Sequence, residues 1–256
     1  MPLQSRFKQS LHRAFFRFGL DVRKIYPMRI PDLPDRDFYS PVFSPWLGYG
    51  KFERYFNAAR QHTIVPRESL YILYALASNA LRLPGEFWEC GVYKGGTARV
   101  LADLLAESSR SLDVPATLRL FDTFAGMPES DGKLDVFEAG EYSDTSLEAV
   151  RAVVGHPDLA VFHPGFIPDT FDGLNDSRIA FAHVDVVLYH AIRDCCEFIY
   201  PRLVPGGILL FDDYGIAACP GARKAVDEYF ADKPEIPVVL PTGQAMVIRS
   251  PAVSFS

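Results

Sequence analysis

The chain has 256 residues and a net charge of −6, with 48% hydrophobic and 23% charged residues. This composition supports a large hydrophobic core and argues against disorder, and no apolar run reaches the roughly 18 residues that a membrane-spanning helix needs. Seven basic residues against Asp21 alone make residues 1–30 basic and leave the rest of the chain acidic, which argues against a nucleic-acid partner.

The cysteine pattern indicates a reducing compartment. Cys90, Cys195, Cys196 and Cys219 show no CxxC spacing, so neither a disulfide framework nor a zinc site is predicted. The basic N-terminus lacks the continuous apolar stretch and cleavage site of a signal peptide. We therefore expect a cytoplasmic protein.

The first part of the chain is predicted to be helical and rich in aromatic residues. Phe7, Leu11, Phe15 and Phe18 share one face of a basic amphipathic helix over 4–20. Packing on its own body or on a sister subunit is favoured over a membrane surface, so we expect a homo-oligomer without membrane association. Five prolines break residues 26–50 into a loop, and helices follow near 51–60 and 67–82, the second opened by Pro66 at a first-turn position.

From residue 86 the pattern alternates short apolar strands with amphipathic helices. Strands are predicted at 86–91, 117–122, 159–163, 179–185 and 206–211, with helices near 96–107, 145–154, 189–200 and 220–231. A turn at 204–207 precedes the fifth strand, and 238–240 with 245–248 reads as a hairpin whose last strand is antiparallel. The prediction is an α/β doubly wound, mostly parallel sheet, which resembles the class I methyltransferase (Rossmann-like) fold.

A glycine loop follows the first predicted strand, with the spacing E-x-G-x-x-x-G-G over Glu89-Cys90-Gly91-Val92-Tyr93-Lys94-Gly95-Gly96. Gly91 allows the backbone to turn close to a ligand, and Gly95-Gly96 open a helix whose amides can meet an anionic group. Tyr93 stands where the dinucleotide fingerprint has its middle glycine, which weakens a nicotinamide oxidoreductase hypothesis. A plain strand-to-helix turn is the structural alternative.

The second and third strands end in further candidate ligand residues. Asp122, followed by Thr123, suits a ribose diol because a carboxylate can accept from both hydroxyls; a turn aspartate is the alternative. Gly165 and Phe166 could flank a planar adenine or form a surface turn.

Acidic residues end the fourth and fifth strands, at Asp185 and at Asp212-Asp213. The carboxyl ends of neighbouring parallel strands border one crevice, so these carboxylates can converge. Three hard oxygen ligands without sulfur favour Mg²⁺, with helix capping as the alternative. Asp185, His183 and His190 are the candidates for taking a proton, and each also has a structural alternative.

Together these strings resemble the macrocin O-methyltransferase family, which methylates sugar hydroxyls in antibiotic biosynthesis with S-adenosylmethionine. The resemblance covers about residues 85–250 and rests on the glycine loop, on Phe121-Asp122-Thr123-Phe124-Ala125-Gly126-Met127-Pro128 and on Phe211-Asp212-Asp213-Tyr214-Gly215. It implies that the loop holds the methionine portion of the cofactor, that Asp122 holds the ribose, and that Asp185, Asp212 and Asp213 hold Mg²⁺. It also implies an acceptor lid in residues 1–84, beside a cofactor-binding domain over 85–256.

One string departs from the family pattern. Where the family reads D-x-D-x-Y-E-S, this chain has Asp185-Val186-Val187-Leu188-Tyr189-His190-Ala191, so Val187 replaces the second aspartate. We expect an O-methyltransferase acting on a sugar or another vicinal diol, because Mg²⁺ can bind two neighbouring oxygens and lower a hydroxyl pKa. Trp46, Tyr49 and the 123–146 loop are expected to cover this small-molecule acceptor. The alternative is a catalytically altered or inactive cofactor-binding scaffold.

Overall fold

The computed structural model describes residues 44–47, 50–112, 117–129, 134 and 137–251, all within one compact unit, Tyr39–Ser256. A second unit, Met1–Phe38, lies outside the described residues, as do the helix predicted over 4–20 and most of the loop predicted over 26–50. None of the helices in the described part of the chain is long and apolar enough to cross a membrane.

The helices form where the sequence predicts them, with small shifts at their ends. Ser146 caps one helix by accepting a hydrogen bond from the Ala149 amide at 3.2 Å, and Pro66 occupies the N-cap position rather than the first turn of another. The helices are α1 (Phe52–Ala59), α2 (Arg67–Ala80), α3 (Gly96–Leu112), α4 (Leu147–Val154), α5 (Tyr189–Ile199) and α6 (Pro220–Phe230).

The strands form one seven-stranded sheet in the order β3-β2-β1-β4-β5-β7-β6. The first five strands are parallel, and β7 pairs antiparallel with both β5 and β6, which confirms the predicted closing hairpin. The strands are β1 (Glu86–Cys90), β2 (Leu118–Asp122), β3 (Ala160–Pro164), β4 (Ile179–Val184), β5 (Leu203–Phe211), β6 (Val238–Val239) and β7 (Ala245–Ile248).

The turn predicted at 204–207 is wrong, because these residues lie within β5. Ile179 pairs with Leu203 while Phe181 pairs with Ile208, so β5 bulges between the two pairs. Gly206 has φ +81°, a conformation that glycine adopts without steric cost. The glycines therefore mark a bulge inside a strand and not a loop before it.

Apolar side chains pack on both faces of the sheet. One buried cluster contains Phe52, Leu70 and Leu101 from α1, α2 and α3, so the two helices before β1 share a core with the sheet. The other cluster joins Trp88 to side chains of α5 and α6. Because β1 connects to β2 on one side and pairs with β4 on the other, the strand order reverses between β1 and β4. Ligands bind at such a switch point, beyond the carboxyl ends of the strands.

The Glu86 carboxylate ties the start of β1 to β2. It accepts hydrogen bonds from Arg119 Nη2 at 2.7 Å, from Arg119 Nε at 2.8 Å and from Trp88 Nε1 at 2.9 Å. Burial alone would raise the pKa of Glu86, but these hydrogen bonds outweigh it and lower the pKa below its usual value. The ionised carboxylate is therefore the form that stabilises the fold.

We expect Glu86→Gln to reduce the free energy of unfolding by about 1–2 kcal/mol at pH 7. A lowered folded-state pKa stabilises the protein above the unfolded-state pKa and is lost as the pH falls through the folded value. The difference between wild type and variant should therefore shrink on acidification below about pH 4.5, as measured by urea unfolding. Glu197→Gln, which removes an exposed pair with Arg193, is the matched control and should change little; equal effects of both variants would contradict the prediction.

Candidate active site

A cavity of about 460 Å³ opens at the carboxyl edge of the sheet beside the switch point. Its volume lies within the range of small-molecule sites. Most of the predicted site residues line it: Gly91, Val92, Tyr93, Asp122, Thr123, Gly165, Phe166, Asp185, Asp212 and Asp213. The lining does not include Glu89, Cys90, Gly95, His183 or His190.

Gly91 brings the ends of β1 and β4 into direct contact. Its φ is +87°, and a Cβ atom placed there would lie 2.0 Å from the carbonyl oxygen of Asp185. The Asp185 amide in turn donates to the Cys90 carbonyl at 2.8 Å. The missing side chain therefore sets how close Asp185 comes to the glycine loop.

The loop amides are largely committed to acceptors within the protein. The Gly95 amide donates to the Val92 carbonyl at 2.9 Å, and the Gly96 amide donates to the His62 carbonyl at 3.0 Å. The geometry therefore does not favour the expected binding of an anion by these two amides, because both already donate to carbonyl oxygens. Thr97, which is buried and lines the cavity, offers its hydroxyl at the same helix start.

Asp122 holds the glycine loop in place. Its Oδ2 accepts from the Val92 amide at 2.6 Å and the Tyr93 amide at 2.9 Å, and its Oδ1 accepts from the Phe124 amide at 2.7 Å. These bonds explain how Tyr93 and Phe124 keep positive φ angles of 50° and 53°. Since a carboxylate has about four acceptor positions, Asp122 retains little capacity for a ribose; its role in binding stays a prediction.

Gly165 and Phe166 border the cavity from the end of β3. The Gly165 amide donates to the Asp122 carbonyl at 2.9 Å, which fixes this turn against β2. The Phe166 side chain is 55% exposed although it lines the cavity, so an apolar ring stands at the cavity mouth.

A fully buried histidine connects the strands beneath the cavity. His183 Nδ1 forms a hydrogen bond with Glu89 Oε1 at 2.9 Å, and Nε2 forms one with Asp212 Oδ1 at 3.3 Å. Burial alone would lower the pKa of His183, but the hydrogen bonds from this ring to Asp212 and Glu89 raise it well above the usual value. The ring therefore lies buried between two carboxyl groups that favour its protonated form, and it does not line the cavity.

The carboxyl groups of Asp185 and Asp213 both have raised pKa values. Burial, together with the charges of Asp212 and Asp213, raises the pKa of Asp185 well above its ordinary value. Burial and the charge of Asp212 raise the pKa of Asp213 to about 6, against a hydrogen bond with Asp185 that lowers it. Ionisation of these neighbouring carboxyl groups is unfavourable unless a cation binds beside them.

The donor set fits a hard divalent cation. Ligand atoms of His183, Asp185 and Asp212 lie within 4.8 Å of one another. Asp213, the next residue after Asp212, has a buried Oδ2 without a hydrogen-bond partner. Three carboxylates, one with an unpartnered buried oxygen, are the ligands that Mg²⁺ prefers.

Several cavity residues have no strong signal in the sequence. His62, Thr63 and Pro66, from the segment between α1 and α2, line the cavity, and His62 and Thr63 lie against Gly96 at the start of α3. The only signal is Gly96, since a Cβ there would lie 2.6 Å from the His62 carbonyl oxygen.

The 123–146 segment contributes aromatic residues to the cavity lining, and its role in covering an acceptor stays a prediction. Tyr142 lies edge-on to Tyr93 with ring centroids 5.3 Å apart, and Phe137 is 6.3 Å from Tyr142. Trp46 does not line the cavity and packs near Tyr71, while Tyr49 lies outside the described residues.

Val187, at the site of the departure from the family pattern, has φ +63°. A β-branched residue in this region costs about 1–2 kcal/mol. Val187 lines the cavity, whereas His190 is exposed in the first turn of α5 with its ring 5.1 Å from that of Tyr189. Of the predicted proton acceptors, only Asp185 borders the cavity.

Comparison with known proteins gives a consistent assignment. Residues 59–239 match the family described as Macrocin-O-methyltransferase (TylF). The chain is 32% identical over 181 residues to the 8-demethyl-8-(2,3-dimethoxy-alpha-L-rhamnosyl)-tetracenomycin-C 4'-O-methyltransferase of Streptomyces olivaceus, covering 66% of this chain and 67% of that protein. It is 32% identical over 184 residues to the mycinamicin III 3''-O-methyltransferase of Micromonospora griseorubida, covering 66% and 70%.

A solved structure has the same architecture. The O-methyltransferase NovP superposes with a TM-score of 0.63 at 25% sequence identity, covering 74% of this chain and 83% of that one. The family match over residues 59–239 runs from the last residue of α1 to the end of β6. It therefore includes most of the sheet and of the cavity described above.

We expect Gly91→Ala to destabilise the fold far more than Gly140→Ala. Both glycines have positive φ, +87° and +85°, but nothing lies within 4 Å of a Cβ at Gly140. Urea unfolding should show a loss of about 1 kcal/mol for Gly140→Ala. Gly91→Ala should lose about 1–3 kcal/mol more, from overpacking. Similar losses in the two variants would show that the contact with Asp185 is not tight.

Proposed function

The chain belongs to the macrocin O-methyltransferase (TylF) family and is an S-adenosylmethionine-dependent O-methyltransferase, and from this premise we propose that it methylates one hydroxyl of a vicinal diol, with assistance from Mg²⁺. The diol belongs to a sugar or another part of a hydroxylated natural product. The observation that carries the proposal is the contact between the glycine loop and Asp185, which places a carboxylate cluster beside the candidate cofactor site.

The cofactor occupies the part of the cavity formed by the ends of β1, β2 and β3. The Gly91–Tyr93 loop supports its methionine portion, with Thr97 as the polar side chain at the start of α3. Asp122 shapes this loop and borders the ribose, and Gly165 with Phe166 borders the adenine. When bound, S-adenosylmethionine would supply the methyl group for transfer to the acceptor oxygen.

Asp185, Asp212 and Asp213 are proposed to hold Mg²⁺. The support is their shared position on the cavity wall and the unpartnered buried oxygen of Asp213. Bound Mg²⁺ would lower the pKa of a coordinated hydroxyl and fix its position. A pair of adjacent hydroxyls satisfies such a site better than a single one, which is the reason for proposing a diol.

Asp185 is the proposed proton acceptor, because it is the candidate that borders the cavity. A carboxylate within reach of the attacking hydroxyl removes its proton as the oxygen–methyl bond forms. His183 is held between Glu89 and Asp212 and acts by positioning their carboxyl groups. The aromatic rings of Phe137 and Tyr142 exclude water from the acceptor side.

Residues 1–84 are proposed to form the acceptor lid and the contacts of a homo-oligomer, beside a cofactor-binding domain over 85–256. The support from the described residues is that His62–Pro66 lines the cavity. The apolar face of the helix predicted over 4–20 supports the oligomer.

We expect S-adenosylhomocysteine to bind the purified protein and Mg²⁺ to strengthen that binding, as measured by calorimetric titration with Mg²⁺ and with chelator. Asp213→Asn should weaken the Mg²⁺ effect because it removes one anionic ligand. Asp172→Asn, at an exposed carboxylate outside the cavity, is the matched control and should behave as wild type.

Binding that ignores Mg²⁺ in the wild type would leave the methyltransferase assignment intact and overturn the metal site. Absence of binding under all conditions would overturn the proposed cofactor site as well.

We expect turnover on diol-containing acceptors and not on their mono-O-methyl counterparts. The panel contains alkyl rhamnosides, glycosylated polyketides and a catechol, with products identified by mass spectrometry. Asp185→Asn should lower kcat about 10²–10⁴-fold on any accepted diol, the range for loss of general-base catalysis, while Asp172→Asn should not.

Cofactor binding without turnover on any diol would favour the alternative of an altered or inactive scaffold, which the valine at position 187 motivates. Equal turnover of diols and mono-O-methyl ethers would contradict the diol requirement.

A further inference from the structure

Four neighbouring strands contribute one row of buried polar side chains beneath the cavity. Glu89 belongs to β1, His183 to β4, Asp212 follows β5, and Gln244 immediately precedes β7. The exposed fraction of these residues is 9% or less. Gln244, at the end of the row, is fully buried and does not line the cavity.

Gln244 makes the shorter of two hydrogen bonds to the same carboxylate oxygen. Its Nε2 donates to Asp212 Oδ1 at 2.7 Å, whereas His183 Nε2 lies 3.3 Å from that oxygen. Asp212 Oδ1 is thus held by His183 of β4 and by Gln244 before β7, and the Gln244 amide makes the shorter hydrogen bond.

The orientation of the amide is fixed by its own neighbours. The Thr242 hydroxyl donates to Gln244 Oε1 at 2.9 Å, so the NH₂ group faces Asp212. That NH₂ group also donates to the Ser69 carbonyl of α2 at 3.3 Å. Every polar atom of the amide is engaged, as a buried amide requires.

We propose that Gln244 is a positioning residue that fixes the Asp212 carboxylate for the proposed cation site. The carboxylate cannot rotate about its own side chain without breaking the bond to Gln244. Partners that orient a metal-binding group typically change metal affinity by about 10–100-fold when removed. The inference rests on the proposed function only through the role of Asp212 as a metal ligand.

The first test is the position of Asp212 in a crystal structure of Gln244→Met, a variant of similar length without donors. We expect the Asp212 carboxylate to rotate and its contact with His183 to change. Tyr200→Phe is the matched control, because it removes another buried hydrogen bond, to Glu235, without touching Asp212. An unmoved Asp212 in Gln244→Met would overturn the inference, whether or not the protein binds a metal.

The second test is Mn²⁺ binding, followed by the electron paramagnetic resonance signal of free Mn²⁺ in the presence of S-adenosylhomocysteine. Gln244→Met should raise the Mn²⁺ dissociation constant about 10-fold or more. The affinity for S-adenosylhomocysteine should stay unchanged within about twofold. Tyr200→Phe should retain the wild-type Mn²⁺ affinity, although it loses stability. Equal Mn²⁺ affinity in wild type and Gln244→Met would overturn the inference.

Thr242→Val provides a second variant if Gln244→Met does not fold, since it frees the amide to turn while keeping the side chain. It should produce a smaller loss of Mn²⁺ affinity in the same direction, and no loss would count against the inference. Absence of Mn²⁺ binding in the wild type would overturn the proposed metal site, and the crystallographic test would still decide the role of Gln244.

Discussion

The site depends on the need to neutralise charges that the sheet buries. Glu89 and His183 have no exposed surface, and isolated ions in such a position would cost several kcal/mol each. The His183 ring lies between the carboxyl groups of Glu89 and Asp212, and its hydrogen bonds to them raise its pKa. Because Glu89 lies in β1, His183 in β4 and Asp212 directly after β5, these contacts also fix the relative positions of the strand ends beneath the cavity.

The glycine loop is built around a contact within the protein as much as around a ligand. Gly91 is required where β4 ends against β1, and the amides that follow it satisfy Asp122 and carbonyl groups of the chain. The Gly95 and Gly96 amides are bonded to carbonyl groups of the chain, so contacts within the protein hold this loop in its conformation. Thr97, at the start of α3, adds a polar residue to the cavity lining.

The fold was predictable from the sequence because its signals are local. Alternating apolar strands and amphipathic helices, and the turn Pro241–Gly243 before the last strand, all act over a few residues. The bulge at Gly206 was missed because glycines mark a turn and a bulge equally well. The converging acids at Asp185 and Asp212-Asp213 were also predictable, since parallel strands bring their carboxyl ends to one edge.

What the sequence could not reveal are contacts between residues far apart in the chain. Gln244 lies 32 residues from Asp212 and 175 from Ser69, and nothing in its neighbourhood marks it as a partner of either. Likewise, no local pattern distinguishes His183 as buried from His190 as exposed.

The backbone conformation of Val187 is imposed by the tertiary structure. Its positive φ is unfavourable for valine, yet the turn between Asp185 and α5 keeps this conformation because the Asp185 amide is held by Cys90 and the Leu188 amide by the Val186 carbonyl. The frame that positions Asp185 is therefore maintained by backbone hydrogen bonds of the surrounding residues.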